Sequence, residues 1–110
     1  MNEAQRAAVV QEFEAYLKSK GIHAYKETPF KELMETTRRF RADYSFTNPV
    51  NAADYIVEIN GGSFINGRHN RGGKGYETDL YKINLACSKG YRVIQLTYEM
   101  LARQEYKDFL

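Results

Sequence analysis

Arg39-Phe40-Arg41-Ala42-Asp43-Tyr44-Ser45-Phe46 alternates strictly. Phe40, Ala42, Tyr44 and Phe46 fall on one side of an extended chain, and Arg39, Arg41, Asp43 and Ser45 fall on the other, as the two-residue period of a strand requires. Thr47-Asn48-Pro49-Val50-Asn51 reads as a turn or short loop. A second strand follows over residues 54 to 60, with Tyr55, Val57 and Ile59 on one face and Glu58 on the other. Folded as an antiparallel hairpin with Asp43 opposite Glu58, the two strands pair Ala42 with Ile59, Tyr44 with Val57 and Phe46 with Tyr55. All three pairs are apolar and share a face. A one-residue slip would set apolar positions against polar ones, so this register, or one shifted by an even number, is expected.

Outward from the hairpin, residues 3 to 20 carry Ala4, Ala7, Ala8, Phe13 and Leu17 at helical spacing, and Gly21 is a suitable stop. Residues 22 to 27 suit a short strand that Thr28-Pro29 should break. Residues 30 to 37 fit a helical turn or a loop. Residues 76 to 89 predict a helix with Tyr76, Leu80, Ile83 and Cys87 in one stripe, ended by Gly90. Residues 91 to 96 are nearly continuous in apolar character and predict a central or well-covered strand. Thr97 is placed to cap a last helix through about residue 110. The expected class is α/β, in the α+β sense of a mixed sheet with helices packed on its faces, in the order helix, three strands, helix, strand, and a C-terminal helix.

At 110 residues the chain fits a single domain, residues 1 to 110. The net charge of +2 is too small to imply nucleic-acid binding by itself, so the placement of charge matters more than its sum. One cysteine, Cys87, excludes an intramolecular disulfide and makes a thiolate zinc site implausible; a reducing cytoplasm is the simplest compartment. Cys87 lies on the apolar stripe and reads as an inert small hydrophobe. No apolar run is long enough to span a membrane, and the polar start is no signal peptide. Most of the nine tyrosines fall on apolar stripes, so core packing is their default reading.

Directly opposed, Asp43 and Glu58 would hold their Cβ atoms about 4.5–5.5 Å apart. Two ionised carboxylates so close repel unless something offsets the charge. Mg²⁺ does so with one or two carboxylates, keeping several waters for substrate exchange. The alternative is a surface pair compensated by Arg39, Arg41 or Arg68. The glycine-rich loop after the second strand places Arg68, His69, Arg71 and Lys74 close in sequence, where backbone amides and cations can hold phosphates. His69 suits general acid–base work, a phosphate contact or a structural role. Arg38, Arg39 and Arg41 cluster beside Asp43 and can neutralise nucleic-acid phosphates or nearby carboxylates. Glu77 and Asp79 in a first helical turn are what the helix dipole favours, and Asp79 and Lys82 are spaced to meet on one face.

The run Arg38-Arg39-Phe40-Arg41-Ala42-Asp43, continued by Val57-Glu58-Ile59-Asn60-Gly61-Gly62, resembles the catalytic hairpin of the PD-(D/E)XK, or restriction-endonuclease-like, nucleases. Nearly the whole chain is similar to that core. Gly67-Arg68-His69-Asn70-Arg71-Gly72-Gly73-Lys74-Gly75-Tyr76-Glu77-Thr78-Asp79-Leu80-Tyr81-Lys82-Ile83-Asn84 resembles small phage and prophage endonucleases, and in style the very-short-patch repair endonucleases. The resemblance implies Mg²⁺ or Mn²⁺ held by Asp43 and Glu58, with the Ile59 carbonyl as a further ligand, and DNA as substrate. It brings in a first-helix glutamate, Glu12 or Glu14, and weakly Glu77, Asp79 and Gln95. The lysine of the motif would fall at Asn60. Either Asn60 positions the water itself, or a lysine arrives from elsewhere, Lys82 first and Lys74 next, or the site is weak or inactive; the displaced lysine is the preferred reading.

The leading expectation is a hydrolytic DNA endonuclease of a bacterial or phage-infected cell. A homodimeric resolvase of branched DNA is a subtype, and a DNA-binding or assembly module that lost its chemistry is the main alternative. A metal-independent interaction protein would leave the paired carboxylates and the basic loop unexplained.

Overall fold

The computed structural model describes residues 1–59 and 74–110. The first helix, α1 (Glu3–Ser19), begins with a capping box in which the Asn2 side chain accepts from the Gln5 amide and Gln5 returns the bond. It stops at Lys20, and Gly21 takes a left-handed φ of 72° that glycine adopts without steric cost. The alanines of its expected stripe are exposed; Phe13 and Leu17 are buried, with Val9, Val10 and Tyr16 beside them. A strand β1 (Tyr25–Pro29) follows, then a one-turn helix α2 (Phe30–Leu33). The strand expected over residues 22 to 27 thus starts later, and Thr28 and Pro29 lie inside it as its last two residues rather than breaking it. Pro29 is tolerated because β1 lies at the sheet edge.

Strands β2 (Arg41–Thr47) and β3 (Asp54–Ile59) form the expected antiparallel hairpin, with Tyr44 opposite Val57 and Phe46 opposite Tyr55. Helix α3 (Lys74–Ser88) crosses back to β4 (Arg92–Leu96), which runs parallel to β3. The sheet order is β1-β2-β3-β4, a four-stranded mixed sheet in an α+β fold. β4 is an edge strand, not a central one; its apolar run reflects cover on both faces by helices. Thr97 caps α4 (Tyr98–Ala102) by accepting from the Met100 amide. That helix ends far short of residue 110: Gln104 adopts a left-handed φ of 57°, and a 3-10 turn over Glu105–Asp108 completes the chain.

Both sheet faces are buried. Phe13, Leu17, Leu101 and Tyr106 pack on Tyr44, Phe46, Tyr55, Val57 and Leu96 to form the larger core under α1 and α4. The second core joins Phe30, Ala42, Ile56 and Ala86 under α2 and α3, with Phe40 against it. Phe40 and Ala42 thus do not share a core with Tyr44 and Phe46. The alternation breaks at Asp43, because the strand leaves its neighbour there.

Helix α3 also meets the sheet through a different stripe. Cys87 is exposed and Leu80 largely so, while Ala86 is buried and Asp79, Lys82 and Ile83 are half-buried. The face of α3 turned to the sheet carries a lysine where the hydrophobic pattern expected leucine and cysteine. Among the described residues no helix is long and apolar enough to cross a membrane.

Candidate active site

Regular pairing of β2 with β3 ends at Tyr44 and Val57, whereas β3 stays paired with β4 through Glu58 and Ile59. The two strands of the hairpin therefore splay apart at Asp43, and side chains take over where the ladder stops. The Asp43 amide donates to Glu58 Oε2 at 2.8 Å, and the Ile59 amide donates to Asp43 Oδ2 at 2.8 Å. Each carboxylate satisfies a backbone donor of the other strand, which a part-buried amide requires. The same bonds fix both carboxylates at one splayed end.

The distortion extends to β1. Its pairing with β2 skips Glu27, opposite Asp43, and Glu27 holds a left-handed φ of 55°. For a glutamate this conformation costs roughly 1 kcal/mol or more. Arg41 Nη1 donates to the Glu27 carbonyl at 3.0 Å and holds the kink. Arg41 is thus tied to backbone geometry as well as presenting charge.

Glu58 is 9% exposed and forms an ion pair through Oε1 with the Lys82 ammonium from α3. Burial raises the Glu58 carboxyl above the usual carboxylate range; the Lys82 ammonium and the Asp43 amide lower it without cancelling that effect. Lys82 pairs with Glu58 and not with Asp79, whose spacing along the helix had suggested it. No arginine forms an ion pair with Asp43 or Glu58 among the described residues. Of the alternative compensation by Arg39, Arg41 or Arg68, the first two do not supply it, Arg68 lies outside the described residues, and Lys82 is the cation that meets Glu58.

Asp43 is half-buried and faces a cleft of about 440 Å³ whose walls include Glu14, Lys26, Glu27, Ile59 and Tyr98. Glu14 accepts from the Tyr44 hydroxyl at 2.6 Å and from Lys26 Nζ at 3.3 Å. Glu12 turns away and accepts from Gln104 Nε2 at 2.8 Å, tying α1 to the C-terminal segment. The choice between the two glutamates falls on Glu14. A phase signal was present in the sequence: Val10, Phe13 and Leu17 set the sheet-facing side of α1, and Glu14 lies at helical spacing from Val10 and Leu17. Burial, then the bond to Glu14, raise the Tyr44 phenol well above its ordinary range, so this hydroxyl remains a donor.

Gln95 sits beside Glu58 in the parallel register of β3 and β4. Glu77 is exposed and Asp79 half-buried on α3; neither hydrogen-bonds to Asp43 or Glu58 among the described contacts. Asn60, Arg68, His69, Arg71 and the side chain of Lys74 lie outside the described residues. Lys26, Glu27, Tyr44 and Tyr98 are among the cleft residues that pattern reading missed. Tyr44 looked like core alone, and the edge-strand position of Lys26 carried no chemical signature.

Carboxylate oxygens are the donor type that a hard divalent ion takes. Asp43 and Glu58 each anchor one oxygen on a backbone amide; the second oxygen of Glu58, Oε1, meets the Lys82 ammonium, and the second oxygen of Asp43 is Oδ1. Among the described residues no third carboxylate, imidazole or thiolate joins a metal-binding group. Two carboxylates suffice for Mg²⁺, which retains much of its water shell. The chain matches no protein-family model, no curated protein and no solved structure.

Proposed function

We propose that this chain is a metal-dependent endonuclease of the PD-(D/E)XK kind that hydrolyses DNA phosphodiester bonds. The supporting observation is the splayed end of the β2–β3 hairpin, where Asp43 and Glu58 cross-brace the strands and Lys82 reaches Glu58 from α3. With the one-turn α2 set between β1 and β2, helix, three strands, helix and strand follow in the order that this core uses. Asp43 Oδ1, Glu58 Oε1 and the Ile59 carbonyl are the oxygens that would hold Mg²⁺ or Mn²⁺, with the Lys82 ammonium yielding or sharing Oε1 to admit the ion. When bound, the ion supplies Lewis acidity at the phosphoryl group and acidifies water at neutral pH.

The chain's own residues divide the remaining work. Lys82 takes the place of the motif lysine that Asn60 lacks: its ammonium orients Glu58 and lies at the site to attract the phosphate. Glu14, held by Tyr44 and Lys26, lines the cleft with Asp43 and can accept a proton or a hydrogen bond from water there. The Glu58–Lys82 pair also favours a second reading. An ammonium that already neutralises Glu58 suits a DNA-binding module without chemistry.

The two readings separate on supercoiled plasmid and branched DNA, each incubated with Mg²⁺, Mn²⁺ or EDTA. Losing a metal ligand removes several kcal/mol of transition-state stabilisation, so Asp43→Ala and Glu58→Ala should each cut more than about 100-fold more slowly. Cleavage that persists in both variants rejects the assignment. DNA binding in EDTA with no cleavage in either metal selects the module.

A further inference from the structure

Beside the splayed hairpin, on the side of α2, lies a concave pocket of about 250 Å³ lined by Pro29, Lys31, Arg38, Arg39, Phe40 and Arg41. Four of its six residues are cations and none is acidic. The ion pairs among the described residues lie elsewhere, at Glu14, Glu58 and Glu105, so this concentration of charge has no carboxylate counterpart there. A water occupies roughly 30 Å³ of liquid volume, and the pocket is several times larger, enough for a phosphate group and part of its hydration shell.

The pocket is also built. The Phe30 amide donates to the Phe40 carbonyl at 2.8 Å and locks α2 against the approach to β2. The Arg38 amide donates to Thr36 Oγ1 at 3.1 Å. The Arg38 guanidinium lies 3.9 Å from the centre of the Tyr81 ring and 5.9 Å from that of Phe40. An arginine stacked this way keeps its in-plane N–H groups directed outward, the geometry that engages phosphate oxygens in pairs. Tyr81 adjoins Lys82, so one turn of α3 braces both this pocket and Glu58. Arg41 precedes Asp43 by two residues, about 7 Å along a strand.

We propose that this pocket holds one phosphate group of a nucleic-acid strand, a few nucleotides from the bond that Asp43 and Glu58 address. The inference rests on the nucleic-acid part of the functional reading and not on its chemistry. Either an internal phosphodiester or a terminal phosphate supplies the same dianionic or monoanionic oxygens. Arg38 and Arg39 grip them, Lys31 adds charge from α2, and Arg41 contributes the N–H groups that Glu27 does not use.

The test is binding in EDTA, where cleavage plays no part. Fluorescence anisotropy would use two labelled duplexes that differ only in a 5′-terminal phosphate. Lys31 and Arg39 are exposed and outside the cores, so Lys31→Ala with Arg39→Ala should fold normally. Against this pair stands Lys18→Ala with Lys89→Ala, which removes the same charge elsewhere. Loss of two phosphate contacts should weaken binding about tenfold and flatten the logarithmic salt dependence by about 1 to 2, with less than about a twofold effect in the control pair. Loss on both duplexes assigns an internal phosphodiester, and loss on the phosphorylated duplex alone assigns the terminal group. Equal losses in the two double variants, or none in either, overturn the pocket. Wild-type cleavage in Mg²⁺ alongside a neutral Lys31/Arg39 result would reject the pocket and leave the nuclease reading intact; a pocket effect without any cleavage would do the reverse.

Discussion

The two ends of the β2–β3 hairpin differ in what holds them. Near the turn, Phe46 stacks on Tyr55 at 5.4 Å with an interplanar angle of 17°, both rings are buried, and the backbone ladder is continuous. At the opposite end the ladder stops, the strand alternation fails, and two carboxylates, a lysine and a glutamate with positive φ occupy the space. One end is stabilised by burying apolar area. The other takes on desolvated charge and backbone strain that folding alone does not require, and such departures from local rules concentrate at functional sites.

The largest expected effect is on the apolar end. Phe46→Ala should destabilise the chain by about 3–5 kcal/mol in urea unfolding, while the folded fraction keeps its cleavage rate per molecule. A rate that falls in proportion to more than the unfolded fraction would show that the two ends are not separable. Next comes the splayed end: Lys82→Met leaves the buried Glu58 carboxylate without its cation, at about 1–3 kcal/mol of stability, and should slow cleavage about 10–100-fold as an outer-shell partner does. An unchanged rate would remove Lys82 from the role assigned to it.

The regular end was the legible one. Alternation in Tyr44–Phe46 and Tyr55–Val57 determines register, because any odd slip turns the hairpin inside out. The splayed end was legible in composition and not in shape. Asp43 and Glu58 stand out as carboxylates in strands, but the turn of Ala42 into the second core depends on β1, α2 and α3 together. Helix α3 was misphased for a related reason. Its sheet-facing stripe includes Asp79 and Lys82, and a pattern search for apolar residues slides past a half-buried lysine to Leu80 and Cys87. The C-terminal helix was overextended because nothing in Arg103-Gln104-Glu105 announces a left-handed residue.

A smaller effect distinguishes the packing around the site from the site itself. Burial raises the phenols of Tyr44, Tyr91 and Tyr106 above their ordinary range. In the unfolded chain these groups ionise near pH 10. Their folded values are higher, so the stability they contribute is complete below about pH 10 and declines as pH rises beyond it, where the unfolded state releases protons first. Urea midpoints should therefore fall above that pH, and full phenolate absorbance should appear only with loss of helical circular dichroism. Complete phenolate formation in a chain that is still folded would contradict the buried environment of Tyr44 behind Asp43.

The claim on which the rest depends is that the splayed end binds a divalent ion through Asp43 and Glu58. Calorimetric titration of Mn²⁺ into the wild-type chain and into Asp43→Asn tests it most directly, since asparagine can still accept the Ile59 amide while losing the charge. Saturable binding by the wild type is expected, with a rise in melting temperature with Mn²⁺ concentration as mass action requires, and loss of both in Asp43→Asn. Equal Mn²⁺ binding by the two proteins, or none by the wild type, would contradict it.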